Sequence, residues 1–267
     1  MSLNSTAYKH YLPLYQPPTN VNDPRFLDVM RSLDIECFIS MYFGRLFSPD
    51  ALAVPQSGCV NMHPTLLPKY RGQGPNVWPL VEGDTETGQT IHWLDAGIDS
   101  GDIIAQRSIP IEPEDDGDTL GAKLVELGID LFTETWPLIA SGKAPRIKQD
   151  DALATYSVAP KRKHARIDWK KSAQEISNLC RGFKSAKGAW ARVAGKRLYV
   201  WEAVPYKGRL DVAEGVPGQI LAVSGGGIVV QAGDGPLLLK KAQVTQEGPD
   251  LVTFLSGSVG SMPVVLG

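Results

Sequence analysis

The chain has 267 residues, of which 43% are hydrophobic and 21% are charged, as in an ordinary globular protein with room for two modest domains. A formal net charge of -2 argues against a globally basic nucleic-acid binder, and no apolar run is long enough to cross a bilayer. The three cysteines have no close spacing, so neither a disulfide framework nor a zinc motif is expected. Residues 1–15 lack the apolar core of a signal peptide, and we expect a cytoplasmic protein.

The first half of the chain alternates short apolar runs with helical periodicity, which is typical of an open α/β domain. The runs predict strands, and the periodic segments predict helices. The predicted strands are 35–42, 58–62, 90–94 and 103–109, and the predicted helices are 23–33, 48–53, 76–81 and 118–142.

The composition changes after residue 143. Residues 144–160 hold no long periodic element and are interpreted as a linker. A helix is predicted at 172–182, and short strands separated by glycine turns follow between residues 189 and 240, a spacing typical of a small β-barrel. The sequence therefore predicts an α/β domain over residues 1–150 and a small barrel domain over residues 151–267.

The first candidate for chemistry is Asn61-Met62-His63-Pro64, at the end of the second predicted strand. Residues two apart on a strand project from the same face, so Asn61 and His63 share one. Open α/β sheets bind their ligands at the carboxyl ends of strands. An amide donor beside a titratable ring suits a site that polarises a carbonyl and moves a proton. A buried, hydrogen-bonded Asn and a core His would explain the same four residues equally well.

The second candidate is the loop Gly97-Ile98-Asp99-Ser100-Gly101-Asp102. Two glycines around Asp99 let the backbone approach a ligand closely and hold the carboxylate in a tight turn. Asp99 is in a position to orient His63 and stabilise its charged form. The alternative is a hairpin turn with solvated acids, which is the better interpretation for Asp102.

These two segments resemble a known family. Residues 61–72, Asn-Met-His-Pro-Thr-Leu-Leu-Pro-Lys-Tyr-Arg-Gly, resemble the hallmark of the formyltransferases that use 10-formyltetrahydrofolate, and residues 90–104 resemble their second hallmark. The resemblance implies that Asn61, His63 and Asp99 are catalytic. It also implies 10-formyltetrahydrofolate as the co-substrate, no metal, and a Rossmann-like α/β domain followed by an OB-like β-barrel.

The resemblance also implies a binding site for the folate donor. One loop would line the pterin pocket, a backbone segment would form the opposite wall, and the turn after His63 would complete it, with Thr65 where the family usually has serine. The implied residues are Gly44, Arg45, Leu46 and Phe47 in the loop, Leu94, Asp95, Ala96 and Gly97 in the wall, and Thr65, Leu66, Leu67 and Pro68 in the turn.

One departure from the family concerns the start of the chain. The family begins with a strand, a turn and a helix that complete the sheet, and residues 1–22 show no such pattern, which suggests truncation of the first βαβ portion. The strand at 35–42 would then be an exposed edge. We expect a homodimer through that edge, or aggregation, unless residues 1–18 fold back over it.

The acceptor amine is less well specified. Arg166-Ile167-Asp168-Trp169 and Gly188-Ala189-Trp190 resemble the second domain of methionyl-tRNA formyltransferases, and the same region also resembles the hydrolase domain of 10-formyltetrahydrofolate dehydrogenase. We therefore expect methionyl-tRNA as acceptor, with an amino sugar or other small amine, water, or a degenerate folate-binding paralogue as alternatives. Basic residues suited to a tRNA backbone or to a solvated face are Lys161, Arg162, Lys163, His164, Arg166, Lys170, Lys171, Arg181, Lys184 and Lys187.

Overall fold

A computed structural model describes residues 3–17, 19–210, 215–224, 226–245, 247–258 and 264–267. Its helices are α1 Leu3–Lys9, α2 Pro24–Arg31, α3 Pro49–Leu52, α4 Trp78–Glu82, α5 Gly117–Ala140, α6 Ala173–Gly182 and α7 Leu251–Ser258. Its strands are β1 Phe38–Met41, β2 Cys59–His63, β3 Arg71–Gly72, β4 Glu86–Trp93, β5 Ile103–Pro110, β6 Tyr156–Ser157, β7 Ala189–Val193, β8 Lys196–Pro205, β9 Ile220–Ser224, β10 Gly227–Gln231 and β11 Pro236–Val244.

The first half of the chain builds a mixed four-stranded sheet in the order β1-β2-β4-β5, with β1 and β2 parallel and the other neighbours antiparallel. Every residue of β2 is buried: Val60 and Met62 belong to the apolar core, whereas Asn61 and His63 project from the other face of the strand. The long helix α5 packs against β4 and β5, and it begins at a capping box formed by Asp116 and Thr119. Leu131 of this helix packs with Val60 of β2 and Ile91 of β4 in the core.

The edge strand β1 pairs only with β2 among the described residues. Ile39 and Met41 on this strand are 42% and 49% exposed. The aromatic side chains of the preceding segment do not cover them, since Tyr8 is 77% and Tyr11 95% exposed. The segment expected as a lid therefore keeps much of its own apolar surface in solvent.

The segment interpreted as a linker is anchored to the first half of the chain. β6 pairs in parallel with β3, with Arg71 opposite Tyr156 and Gly72 opposite Ser157. A two-residue strand carries no periodicity, so the sequence pattern could not reveal it. The predicted boundary after residue 150 stays a prediction, although the chain as far as Ser157 is hydrogen-bonded to the α/β part.

The second half of the chain is a closed antiparallel barrel. Five strands follow the order β7-β8-β11-β10-β9. Residues 264–267 join the two ends of this sheet, because Ile220 N–H donates to Val264 O on one side and Arg192 N–H donates to Gly267 O on the other. The barrel predicted from the glycine-turn spacing is therefore present, and α6 packs against its strand β8.

Two helices were not predicted. α1 and α7 lie outside the segments with clear helical periodicity, and α7 contributes Leu251 and Phe254 to the barrel core. Within the described part of the chain, no helix combines the length and the apolar character needed to span a bilayer.

Removal of a core side chain gives a test of the barrel. Leu237 on β11 is fully buried, whereas its neighbour Leu238 is only partly buried on the opposite face of the strand. Leu237→Ala should lower the free energy of unfolding by roughly 2–5 kcal/mol, because the lost methyl groups leave a cavity. Leu238→Ala should cost clearly less. Chemical denaturation of both variants measures the difference, and equal losses would contradict the assignment of the two faces.

Candidate active site

Three of the sequence-predicted residues meet at the carboxyl end of β2. Asn61 and His63 project from one face of this strand, and Asp99 reaches them from the loop between β4 and β5. All three line a cavity of about 180 Å³, together with Gly72 and Gly44. The structure therefore brings the predicted trio together where open α/β sheets place their ligands.

The side-chain amide of Asn61 is held between two groups. Its Nδ2 lies 3.1 Å from His92 Nε2 and 3.4 Å from Asp99 Oδ1. His92 Nδ1 lies 2.9 Å from the carbonyl of Trp93 and donates to it, while Nε2 faces both Asn61 Nδ2 and, at 3.5 Å, Asp99 Oδ1. The longer bond to Asp99 is the weaker of the two, so that hydrogen is the one available to a bound substrate.

His63 is 4% exposed, and both of its ring nitrogens face an acceptor. Nε2 lies 3.0 Å from the carbonyl of Tyr70 and therefore donates to it. Nδ1 is the nitrogen that can change its protonation, and it lies 3.6 Å from Asp99 Oδ2. Burial lowers the pKa of His63 below its ordinary value, and the negative charge of Asp99 opposes this only in part.

The carboxylate of Asp99 is fixed by a backbone donor. Gly72 N–H donates to Oδ2 at 2.8 Å, and the backbone of Asp99 itself is left-handed, with φ of 49°. Burial opposes its ionisation, but the His92 and His63 rings and the Gly72 donor outweigh it and hold the pKa of Asp99 below its ordinary value. Asp99 is therefore an anion at neutral pH.

Three further groups at the site were given no role from the sequence. His92 fixes Asn61, Gly72 fixes the Asp99 carboxylate, and Gln149 donates to the backbone carbonyl of Asp99 at 2.8 Å. The register of β2 against β4 places Asn61 opposite His92, so a correct sheet pairing would have identified His92. Gln149 lies in the apparent linker, where nothing in the local sequence marks it.

The loop implied to bind the donor is only partly at the cavity. Gly44 lines it, whereas Arg45 and Leu46 are exposed to solvent. Phe47 packs against Phe43 with the two rings tilted and their centroids 5.3 Å apart.

The turn after His63 lies mostly beneath the surface. Thr65 is fully buried, and its hydroxyl donates to the carbonyl of Lys69. Leu67 is also buried, its N–H bonds to Thr90 Oγ1, and its peptide bond to Pro68 is cis. Leu66 packs near Gly88. These residues shape the turn that carries Arg71 and Gly72, and a direct role in donor binding stays a prediction.

The opposite wall borders a second cavity. Leu94 and Asp95 line a space of about 400 Å³ together with Arg146 and Lys148. Ala96 and Gly97 are exposed, and the Gly97 N–H donates to the carboxylate of Asp95. Ser100 and Gly101 line this second cavity as well, so the Asp99 loop borders both cavities.

A buried imidazole, an amide and a carboxylate at a strand end define a site for acid–base group transfer on an α/β sheet. Comparison with protein families gives the class of transfer. Residues 5–135 match the family model described as formyl transferase, and residues 161–256 match the model of the formyl transferase C-terminal domain.

Relatives of known name agree. The chain is 36% identical to the methionyl-tRNA formyltransferase of Geobacter sulfurreducens over 91% of this chain and 74% of that protein. It is 40% identical to that of Moorella thermoacetica, over 90% and 76%, and 34% identical to that of Syntrophus aciditrophicus, over 100% and 84%. The chain belongs to the formyltransferase family.

Solved structures share the fold. WlaRD, a sugar 3N-formyl transferase, superposes with a TM-score of 0.66 at 20% identity, covering 92% of this chain and 82% of that one. The N-formyltransferase from Helicobacter canadensis gives a TM-score of 0.67 at 21% identity, with 90% and 82% covered. The predicted Rossmann-like α/β domain with a second domain, the transferase class and the use of a 10-formyltetrahydrofolate donor are thereby confirmed at the level of the family.

Burial of His63 makes the fold sensitive to pH. Because the pKa of His63 lies below its ordinary value of 6.5, the unfolded chain takes up this proton at a higher pH than the folded protein does. The contribution of neutral His63 to the free energy of unfolding should therefore be fully present above about pH 6.5 and be lost as the pH falls below that value. Urea unfolding between about pH 5 and 8 measures this slope.

His63→Gln should flatten that slope, and the same substitution at the exposed His10 provides the control for loss of a histidine. An unchanged slope in the His63 variant would contradict the assigned protonation.

Proposed function

We propose that this chain transfers the formyl group of 10-formyltetrahydrofolate to the amino group of methionyl-tRNA, with Asn61, His63 and Asp99 as its catalytic residues. The observation that carries the proposal is the convergence of these three side chains on one cavity, with Asp99 charged and His63 buried beside it. Family membership gives the reaction, and the convergence supports the assignment of the residues.

The chemistry follows from the hydrogen bonds. The acceptor amine attacks the formyl carbon, a new C–N bond forms, and the carbonyl electrons move to oxygen. The weakly held hydrogen of Asn61 donates to this oxyanion, and the developing negative charge favours protonation of His63 at Nδ1, which then provides a second donor. The bond from the formyl carbon to N10 of the folate then breaks. Asp99 receives the proton of the amine, directly or through water, and this proton is passed to N10.

The cavity accounts for only the reacting part of the donor. Its volume of about 180 Å³ is below the roughly 300 Å³ of a small-molecule pocket. We infer that it encloses the formyl group and the attacking amine, while the rest of the folate lies along the loop from Gly44 to Phe47. Phe43 and Leu46, which are 42% and 56% exposed, offer apolar surface for it there.

A basic and aromatic surface on the barrel supports a tRNA acceptor. Three guanidinium groups surround the ring of Trp190, with Arg197 at 4.7 Å, Arg166 at 5.7 Å and Arg162 at 5.9 Å from its centroid. Arg162 serves the fold, because its Nη1 donates to the carbonyl of Gly188 and its Nη2 is buried. Arg166 and Arg197 are exposed, and guanidinium groups in such a position suit the phosphates of a nucleic-acid backbone. The names of the relatives agree with this acceptor.

Other members of the predicted basic run serve the fold instead. Lys171 pairs with Glu175, Lys184 pairs with Asp116, and Arg181 donates to the carbonyl of Glu112. The tRNA surface that we propose is therefore centred on Trp190 and does not include these three.

The decisive experiment measures tetrahydrofolate release by absorbance without an acceptor and with each of three: methionyl-tRNA, uncharged tRNA and a nucleotide-linked amino sugar. Release only with methionyl-tRNA supports the proposal. Release with the amino sugar would favour the function named for the structural relatives. Release without acceptor would identify a hydrolase, and folate binding without any release would identify a degenerate paralogue.

Substitution of the trio tests the catalytic assignment. His63→Ala and Asp99→Asn should each lower kcat/KM by about 10²- to 10⁴-fold, because each removes a group that moves or stabilises a proton in the transition state. Circular dichroism checks that both variants are folded, and His10→Ala provides the control. Turnover near the wild-type value in a folded His63→Ala protein would refute the assignment.

We also propose that the protein is located in the cytoplasm. A second proposal is that it self-associates through the open edge of β1. Among the described residues β1 is paired on one side only, and an open edge with exposed apolar side chains is a template for pairing with a second copy. Ile39→Lys should shift the protein towards monomer in light scattering, because a charge on the edge opposes pairing. Val125→Lys, at a position of the same 42% exposure on α5, provides the control. A wild type that is monomeric at all concentrations would remove this proposal.

A further inference from the structure

Gln149 lies at the centre of a buried polar network next to the candidate active site. Its Nε2 donates to the carbonyl of Asp99 at 2.8 Å and to the carbonyl of Gly101 at 2.7 Å. Both hydrogens of the amide are therefore used on the backbone of one loop. Gln149 is 5% exposed, so water does not compete for these bonds.

Arg71 fixes the orientation of this amide. Arg71 Nε and Nη2 donate to Gln149 Oε1 at 3.1 and 2.8 Å, and a rotated amide would place its NH₂ group against these donors. Arg71 is 2% exposed and is itself held by Asp151 and by the hydroxyl of Tyr156. The network thus leaves Gln149 only one arrangement.

The loop that Gln149 holds needs such support. Asp99 has a φ of 49°, a conformation that costs a non-glycine residue free energy and persists only when surrounding contacts impose it. The carboxylate is held from the other side by the N–H of Gly72, the residue next to Arg71. One short strand therefore supplies the donor to the Asp99 carboxylate and the side chain that orients Gln149.

We propose that Gln149, oriented by Arg71, is a positioning residue that sets the distance of the Asp99 carboxylate from His63 and Asn61. Arg71, Gly72, Gln149 and the Asp99 backbone form an arrangement that we term the Asp99 clamp. This proposal rests on the proposed formyl transfer, because it assigns the residue that aligns the anion used in it. The separations that the clamp sets are 3.6 Å to His63 Nδ1 and 3.4 Å to Asn61 Nδ2.

Gln149→Glu removes the two hydrogen-bond donors of the side chain at residue 149 and keeps its hydrogen-bond acceptor. The new carboxylate still accepts from Arg71 but cannot donate to the two carbonyls. We expect kcat to fall about a hundredfold, because small misplacements of a catalytic group have effects of this size, with the two KM values changed less than about threefold. Gln231→Glu is the matched control, since Gln231 is also 5% exposed and donates to a backbone carbonyl, that of Ala232 in the barrel.

The control should lose thermal stability by a similar amount and keep its kcat. A kcat within about twofold of wild type in Gln149→Glu, or an equal loss in Gln231→Glu, would overturn the proposal.

A second measurement does not depend on turnover. His63 faces the charge of Asp99, the ring of His92 and the carbonyl of Tyr70. In the uncharged variant Gln149→Met, Asp99 is less well placed to stabilise the protonated ring. The NMR titration midpoint of His63 should therefore fall relative to wild type, while Gln231→Met leaves it unchanged. An unchanged midpoint in Gln149→Met would overturn the clamp. A wild type that transfers formyl to none of the acceptors would refute the proposed function and leave this titration as the test of the clamp.

Discussion

The hydrogen bond from Gly72 N–H to Asp99 Oδ2, 2.8 Å long, is the interaction on which the candidate site depends. It fixes the anion that faces both His63 and Asn61. It also requires glycine, because residue 72 has a φ of 107° and a Cβ atom there would lie 2.4 Å from the carbonyl oxygen of Ser157. Glycine at residue 72 thus lets β3 approach β6 closely, and the N–H group of the same residue places the Asp99 carboxylate.

The sequence was informative where the chemistry is local. Asn61 and His63 are two residues apart on a strand, so their shared face follows from strand geometry alone. The glycines around Asp99 indicate a tight loop. The buried runs gave the sheet strands, and glycine spacing gave the barrel. Family resemblance gave the reaction, which no pattern of spacing could have specified. The roles of Asn61, His63 and Asp99 stay a proposal until the variants are measured.

The remaining contributors are non-local, and this is why the sequence did not reveal them. His92 acts through the register of two strands, and Gln149 lies 50 residues beyond the backbone that it holds. The loop from Gly44 to Phe47 shows the opposite effect. Its residues match a motif, yet only Gly44 of the four lines the cavity, because Phe47 packs against Phe38 and Phe43. A motif locates a segment, whereas packing decides which of its side chains reach the ligand.

The Asp99 clamp also has a consequence for how the protein folds. Within the clamp Arg71 bonds to Gln149, and outside it to Tyr156, across 78 and 85 residues. Closing loops of this length costs conformational entropy before the contacts repay it, so such bonds form late compared with helices and hairpins. The hairpin of β4 and β5 can form from neighbouring segments, but the carboxylate of Asp99 reaches its final position only after distant parts of the chain have met. Recovery of the site on refolding therefore reports completion of the tertiary structure, at a stage when most secondary structure has already formed.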